Sequence, residues 1–382
     1  MVVLLSQNNI VIRLFPDKKN QLSKIYLFYF NGTWIIVCWL EQNWLNFMTE
    51  VNLNDRVGDL LMDLGLIRHE TQILSVKPLT GGVASDVALV ETDQHKYCAK
   101  FALPKMRVEA DWFAPVYRNK CEYEWLKIAE AIIPENTPKM FGFSEKFGGF
   151  AMDYVGGDDC FVWKEKLFES PPDVSIAEKV GKTFGKVQSH TGKSTFNSSE
   201  FLKKDVFFHM RIEPYILYTG SRHPNLKPIF DGVAKQLEDA NKTLVHGDVS
   251  PKNILVKSGE PILIDAECAT MGEPAFDVAF CLNHFFLKAL FSPQFKKGLE
   301  EAALRFFGCY NGFVHWEDKE DFSWRVAKLL PMLGLARVDG KSPVEYLNPD
   351  QQESVRQIVI PLIRSPQNSI QSTINAQFSG IR

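Results

Sequence analysis

From Ile73 onward, apolar and polar residues alternate with period two along ILSVKPLT, DVALVET and KYCAKFAL. The three runs are separated by GGVAS and by the polar triplet DQH, which predicts a small antiparallel sheet with tight connections. Helical spacing follows in RNKCEYEWLKIAEAI (118–132), and strand-like sequence returns up to GGFAMDYV. The pair Gly156-Gly157 then breaks the pattern where a boundary between two lobes fits. Beyond it the period is mainly 3.6 residues. Ile176, Val180, Phe184 and Val187 share one face of SIAEKVGKTFGKVQSH, and PIFDGVAKQLEDANK and PAFDVAFCLNHFFLKALF are further predicted helices. One β-rich interruption, NILVKSGEPILID, reads as a hairpin around a Ser-Gly-Glu turn. The fold class expected is therefore α+β, with a β-rich N-lobe over 51–155 and a larger helical C-lobe over 156–382.

Residues 1–50 stand apart from this scheme. The run IYLFYFNGTWIIVCWL (25–40) is strongly apolar, preceded by Lys18, Lys19 and Lys24. With Asn31, Gly32 and Thr33 at its centre it is shorter than a usual membrane-spanning helix. It also lacks the basic start and small-residue cleavage site of a secretory signal. Met48 opens an ordinary domain start, an Asn-Asp cap followed by an amphipathic helix carrying Val57, Leu60, Leu61 and Leu64 on one face. The expectation is that residues 1–47 lie outside the folded domain as an over-extended gene start. N-terminal mapping of the natively expressed protein tests this, and a product beginning at Met1 contradicts it.

The 382 residues are too many for one small core, which agrees with two lobes. A net charge of −3 supplies no global basic field, so neither nucleic acid nor stable membrane association is expected. The seven cysteines are odd in number, scattered and without a C-x-x-C pair, a pattern of reduced thiols in a cytoplasmic protein.

The chemistry concentrates in LVHGDVSPKNILV (244–256). Asp248 lies in a loop before the hairpin, Asn253 just ahead of its first strand, and Asp265 after its second strand in IDAE. The hairpin thus brings Asn253 and the segment from Asp265 to Glu267 to one end. An amide oxygen with two carboxylates is a hard-oxygen set suited to Mg²⁺. Asp248 stays outside it, free to orient an attacking hydroxyl or accept its proton. Phosphoryl transfer divides labour in this way, with a lysine holding the donor phosphates. Lys100, a charge inside an apolar strand run, is the candidate, and Glu122 or Glu124 on the next helix supplies its partner. Gly81 and Gly82 lie ahead of Lys100 and allow backbone N–H groups to approach a phosphate, although the pair alone reads equally as a plain turn.

HGDVSPKN, IDAE, the Gly-Gly turn, the strand lysine and RNKCEYEWL together resemble the aminoglycoside phosphotransferase and choline kinase type of small-molecule kinase. Asp-x-Glu, where protein kinases carry Asp-Phe-Gly, looks most like the methylthioribose kinase branch, and MRIEPYILYTGSRHP (210–224) is similar to the acceptor-side helix of that branch. The resemblance implies a two-lobed, protein-kinase-like fold, ATP and Mg²⁺ as cofactors, and a small-molecule hydroxyl acceptor. It implies Asp248 as the catalytic residue, with Asn253, Asp265 and Glu267 on magnesium. Lys100 would meet the nucleotide phosphates together with the turn at Gly81, Gly82 and Ser85. Glu122 would orient Lys100 on the family's Glu-x-x-x-Leu pattern, and the backbone at Met152, Asp153 and Tyr154 would hold adenine. Two departures stand out. Ser250-Pro251-Lys252 replaces the more usual His-Pro-Gly and adds a cation, and the tail LARVDGKSPVEYL is unlike methylthioribose kinase.

Other polar residues read differently. His246 is expected to brace its loop by hydrogen bonding rather than act as a base, and Asp277 and His190 are read as structural. Arg211, Arg222 and His223, and likewise Arg337 and Lys341 near Asp339, read equally as a solvated face or as an acceptor site for a hydroxylated compound with an acidic group. Two rival functions are weighed. A protein kinase should carry Asp-Phe-Gly, Ala-Pro-Glu and room for an activation loop, and the chain has none of these. A non-catalytic nucleotide sensor on this fold should have lost one of Lys100, Asp248, Asn253 or Asp265, and all four are present.

Overall fold

The computed structural model describes residues 2–6, 9–13, 24–30, 33–36, 52–79, 84–107 and 113–381. The chain divides into two compact units, Met1–Asp59 and Leu60–Arg382. In the first, β1 (Val2–Ser6), β2 (Asn9–Arg13), β3 (Lys24–Phe30) and β4 (Thr33–Ile36) form an antiparallel meander in sequence order. The apolar run at 25–40 supplies most of β3 and all of β4. Helix α1 (Leu53–Asp63) starts in the first unit and ends in the second.

The second unit opens with a five-stranded antiparallel sheet. Strands β5 (Ile73–Pro78), β6 (Ser85–Thr92), β7 (Lys96–Ala102), β8 (Met140–Ser144) and β9 (Gly149–Asp153) are ordered β5-β6-β7-β9-β8. β7 is a central strand and is buried from Tyr97 to Phe101, which explains its continuous apolar run. Helix α2 (Arg118–Ile132) packs across β7, β8 and β9. Its inner face is Glu122, Trp125, Leu126 and Ala129, the i, i+3, i+4, i+7 stripe of an amphipathic helix.

After β10 (Cys160–Val162) the chain is predominantly helical, with α3 (Trp163–Glu169) and α4 (Val174–Thr191) first. One helical segment then runs from Asp205 to Arg222, and its middle is a wide π-helix, Phe208–Leu217, carrying Pro214. The proline has no N–H to offer a regular i→i−4 ladder, consistent with the wider turn. Then follow α5 (Lys227–Asp239), α6 (Pro274–Phe291), α7 (Lys296–Asn311), α8 (Lys319–Asp339), α9 (Pro349–Arg364) and α10 (Ile370–Ser379). Helix α6 is long and apolar enough to cross a membrane by length and composition, but 94% of it is buried inside the protein. It packs against both α7 and α8, so its all-round apolarity is that of a central core helix.

The predicted hairpin consists of β12 (Ile254–Lys257) and β13 (Glu260–Leu263), with Ile254 opposite Leu263 and Lys257 opposite Glu260. Its two-residue turn, Ser258-Gly259, has φ of 51° and 76°. Positive φ at both positions is what a tight type I′ connection requires. β10 pairs with β12, while β11 (Thr243–Val245) and β14 (Thr270–Gly272) form a separate two-stranded ladder. The two ladders hold the segments 246–253 and 264–269, where the candidate chemistry lies. Architecture and topology are those of a two-lobed, protein-kinase-like α+β fold.

Candidate active site

The loop after β11 is fixed before any ligand arrives. Gly247 has φ of 76°, and a Cβ there would stand 2.7 Å from Cys268 Cβ and 2.8 Å from the Cys268 carbonyl oxygen. Only glycine satisfies both the backbone angle and the space. Asp277, in the first turn of α6, receives the N–H groups of His246 and Gly247, each at 2.8 Å, and the Gln188 side-chain amide at 2.8 Å. It is a brace for the loop and faces it from below.

His246 lies edge-on to Trp125 and Phe184, with ring centroids 4.8 and 5.7 Å away. Its Nε2 meets the Ile264 carbonyl at 3.1 Å, and its Nδ1 accepts the Asp248 N–H at 3.2 Å. Only a neutral ring with its proton on Nε2 satisfies both bonds. Burial pulls its pKa down to about 4, so in the folded protein the ring resists protonation that the unfolded chain accepts near 6.5. Stability that is present above pH 6.5 is therefore lost as pH falls towards 4, by on the order of 3 kcal/mol from this group. Urea titrations of the wild type should show that acid limb, and His246→Gln should flatten it.

Asp248 is buried and fully surrounded. Arg211 Nη2 lies 3.0 Å and Lys252 Nζ 3.1 Å from the same carboxylate oxygen, Oδ2. Arg211 also donates to the Gly247 carbonyl. Burial opposes ionisation of Asp248, but Lys252 and Arg211 outweigh it and hold the carboxyl well below the ordinary range. Arg211, one of the residues read as a possible acceptor-site cation, is thus buried and engaged with Asp248. Lys252 is half exposed. Arg222 is exposed at the end of the 205–222 segment, and Arg337 Nη1 bonds the Tyr215 hydroxyl at 3.1 Å and the Ser342 hydroxyl at 3.0 Å.

Lys100 arrives from the other lobe. It stands between Val87 and Phe150 in the sheet, on a central strand, and is only 5% exposed. Its Nζ lies 2.8 and 2.7 Å from the two carboxylate oxygens of Glu122, and it also pairs with Asp265 across the lobes. Glu122 is 1% exposed and faces the lysine, which selects it over Glu124. Burial alone would disfavour the ammonium, but Asp265 and Glu122 more than offset that and keep Lys100 charged. Asn119, one turn before, donates to the Lys100 carbonyl at 3.0 Å and the Gly148 carbonyl at 2.9 Å, fixing the strand on which the lysine sits.

Asn253 and Asp265 do come to one end of the hairpin. The Ile264 N–H bonds the Asn253 carbonyl at 3.1 Å, and Asn253 Nδ2 donates to the Asp248 carbonyl at 3.0 Å. Oδ1 is then the side-chain atom Asn253 has left for a cation. Asp265 has φ of 66°, a left-handed conformation uncommon outside glycine, of the kind found where backbone strain serves a site. Among the described residues no three His, Cys, Asp or Glu side chains gather as a preformed metal cage. One amide oxygen and one carboxylate are, however, the sparse hard-oxygen set that suits Mg²⁺ when phosphate oxygens and waters complete its shell. The residues fit that ion.

Glu267 has one carboxylate oxygen, Oε2, taken at 3.0 Å by Arg118 Nε, because that buried guanidinium must be neutralised where it stands. Glu267 is an anchor for Arg118 more than a member of the hairpin-end set. The N–H groups of Asp153 and Tyr154 donate to the Lys139 and Lys96 carbonyls, at 2.8 and 3.1 Å, as the sheet continues past β9. Met152 is buried within β9. What Asp153 and Tyr154 can offer an adenine edge is therefore their carbonyls. Ser85 is buried and opens β6, whereas Gly81 and Gly82 lie outside the described residues.

Arg118 was not visible as a candidate. It donates to Glu267, to the Ala114, Pro115 and Leu103 carbonyls at 3.1, 3.0 and 2.7 Å, and to the Ala84 carbonyl. All five of its N–H groups are engaged. One guanidinium thus ties the end of the Gly-Gly connection, the exit of β7, the start of α2 and the segment after Asp265.

A lysine–carboxylate pair from a β-lobe set against an Asp–Asn loop and an Asp-ended hairpin in a helical lobe defines a phosphotransferase. The family model described as the phosphotransferase enzyme family (APH) matches residues 75–308, more than half of the chain, and the chain belongs to that family. No curated protein matches the sequence. Solved structures of similar fold include a choline kinase from Streptococcus pneumoniae, 14% identical, covering 86% of this chain and 99% of its own, TM-score 0.44. A Plasmodium vivax ethanolamine kinase is 13% identical, covering 81% and 89%, TM-score 0.48. An amicoumacin kinase solved with AMP-PNP and Ca²⁺ is 13% identical, covering 76% and 89%, TM-score 0.49.

Proposed function

We propose that this phosphotransferase is an ATP- and Mg²⁺-dependent kinase that moves the γ-phosphate to a hydroxyl of a small metabolite. The observation that carries the reading is the Lys100–Asp265 ion pair, formed across the lobes beside Asp248. Three charged groups that phosphoryl transfer needs meet there, two of them on elements that no packing argument alone would bring together. Lys100 would hold the nucleotide phosphates, with Glu122 fixing its position. Asn253 Oδ1 and Asp265 would hold Mg²⁺, which when bound neutralises charge on the phosphates. Asp248 would orient the acceptor hydroxyl. As the new O–P bond forms and the bond to the ADP oxygen breaks, the hydroxyl proton would pass to Asp248. Because Arg211 and Lys252 keep that carboxylate weakly basic, its main contribution is alignment, with proton acceptance late. An ADP-release assay over small hydroxylated compounds and over proteins, in Mg²⁺ and in EDTA, tests this. Magnesium-dependent release with a small compound is expected, and release with protein acceptors only would overturn the reading.

A further inference from the structure

Lys100, Arg211 and Lys252 meet Glu122, Asp248 and Asp265 around the proposed transfer point. The three cations differ in access. The Lys100 and Arg211 side chains are 6% and 5% exposed, whereas that of Lys252 is 52% exposed. Arg211 is also tied to the backbone, donating to the Gly247 carbonyl and, at 2.7 Å, to the Met210 carbonyl. That one guanidinium balances Asp248, so Lys252 is a second cation on an acid that already has its counter-ion. The loop fixes where this second cation stands. Pro251, Lys252 and Asn253 form one 3₁₀ turn. The Asn253 N–H closes it on the Ser250 carbonyl at 2.9 Å, and Asn253 Nδ2 holds the Asp248 carbonyl at 3.0 Å. Lys252 thus stands in the chain between Asp248 and Asn253. Its Nζ lies 3.1 Å from Asp248 Oδ2, and Asp265 also attracts its charge.

A hydroxyl oriented by Asp248 would sit about 2.7 Å from its carboxylate, and the phosphorus it attacks about 3–3.5 Å further on. An ammonium bound to the same carboxylate is then a neighbour of the transferring group. A triphosphate brings negative charge, and Lys100 and Arg211 can turn towards it only by loosening buried pairs, which is costly. The exposed pair of Lys252 can be exchanged for a phosphate at little cost. We infer that Lys252 is a catalytic residue: its ammonium leaves Asp248 Oδ2 for the γ-phosphoryl group when the nucleotide binds and stays on it during transfer. The bonds made and broken are those given above. Lys252 keeps its protons and donates hydrogen bonds to the phosphoryl oxygens, over which the transition-state charge is spread. Asp248 stays ionised because Arg211 remains on it. This rests on the kinase reading and assigns one more residue to the same site, supplied by the Ser250-Pro251-Lys252 departure from His-Pro-Gly.

The test is isothermal titration of the full chain, in Mg²⁺, with AMP-PNP and with ADP, which differ by the γ-phosphoryl group. Lys252→Met should weaken AMP-PNP about tenfold and leave ADP within about twofold of wild type. Unchanged ADP affinity also shows that the variant is folded. Release of ADP from ATP, with water as the acceptor, should fall about a hundredfold in Lys252→Met. Lys252→Arg, which keeps the charge but not the shape, should recover part of both losses. A lysine that only balanced Asp248 or held the loop would leave the ratio of the two affinities unmoved. The inference is overturned if Lys252→Met weakens both nucleotides equally, weakens neither, or releases ADP at the wild-type rate. Binding of both nucleotides with no change in their ratio removes this inference alone. Failure of the wild type to bind either nucleotide removes the kinase reading with it.

Discussion

Asp248→Asn should lower kcat for phosphoryl transfer by about a thousandfold while nucleotide affinity stays within about threefold of wild type. The substitution keeps size and shape, so the loop anchored by Asp277, His246 and Gly247 stays in place. What changes is the charge at one carboxylate and its capacity to take a proton. Arg211 and Lys252, 3.0 and 3.1 Å from Oδ2, lose their counter-ion and turn the local field more positive, which does not favour departure of a phosphate. Affinity should survive because Lys100, Asn253 and Asp265 are untouched. Isothermal titration with a non-hydrolysable ATP analogue, beside turnover, reads both halves. A variant that lost affinity and kept its rate would reverse the roles assigned to Asp248 and Lys100.

Lys100→Met should be costly in a different way. Nζ is the shared partner of Glu122 and Asp265, and its removal leaves a carboxylate that is 1% exposed without compensation. Breaking a buried pair by deleting one partner destabilises by about 3–5 kcal/mol. Turnover should fall as well, because the ammonium proposed to hold the phosphates is gone. The double variant Lys100→Met, Glu122→Leu separates the effects, since replacing both members of a buried pair by apolar groups restores most of the stability. Urea midpoints should recover in the double variant and turnover should not. Recovery of both would make Lys100 a structural residue.

Much of this site is local in the sequence, which is why it can be read there. The hairpin 253–265 declares itself through two short apolar runs and Ser258-Gly259, and once it is placed, Asn253 and Asp265 must share an end. Lys100 stands out because a charge in a central strand needs a partner, and of Glu122 and Glu124 on α2 only Glu122 lies on the buried face. Arg118 could not be found in this way. Its five partners come from residues 84, 103, 114, 115 and 267, and no periodicity connects them. The sharing of Glu267 follows from the same long-range contact.

The central claim is most directly tested by following the γ-phosphate itself. The full chain would be incubated with a metabolite extract, Mg²⁺ and ATP carrying ¹⁸O in its γ-phosphate, and the label traced by mass spectrometry in parallel with Asp248→Asn. The account predicts ¹⁸O-phosphate on a small hydroxylated compound with the wild type only, and none once Mg²⁺ is chelated. Label found on protein alone, or equally with the Asp248→Asn variant, would contradict it.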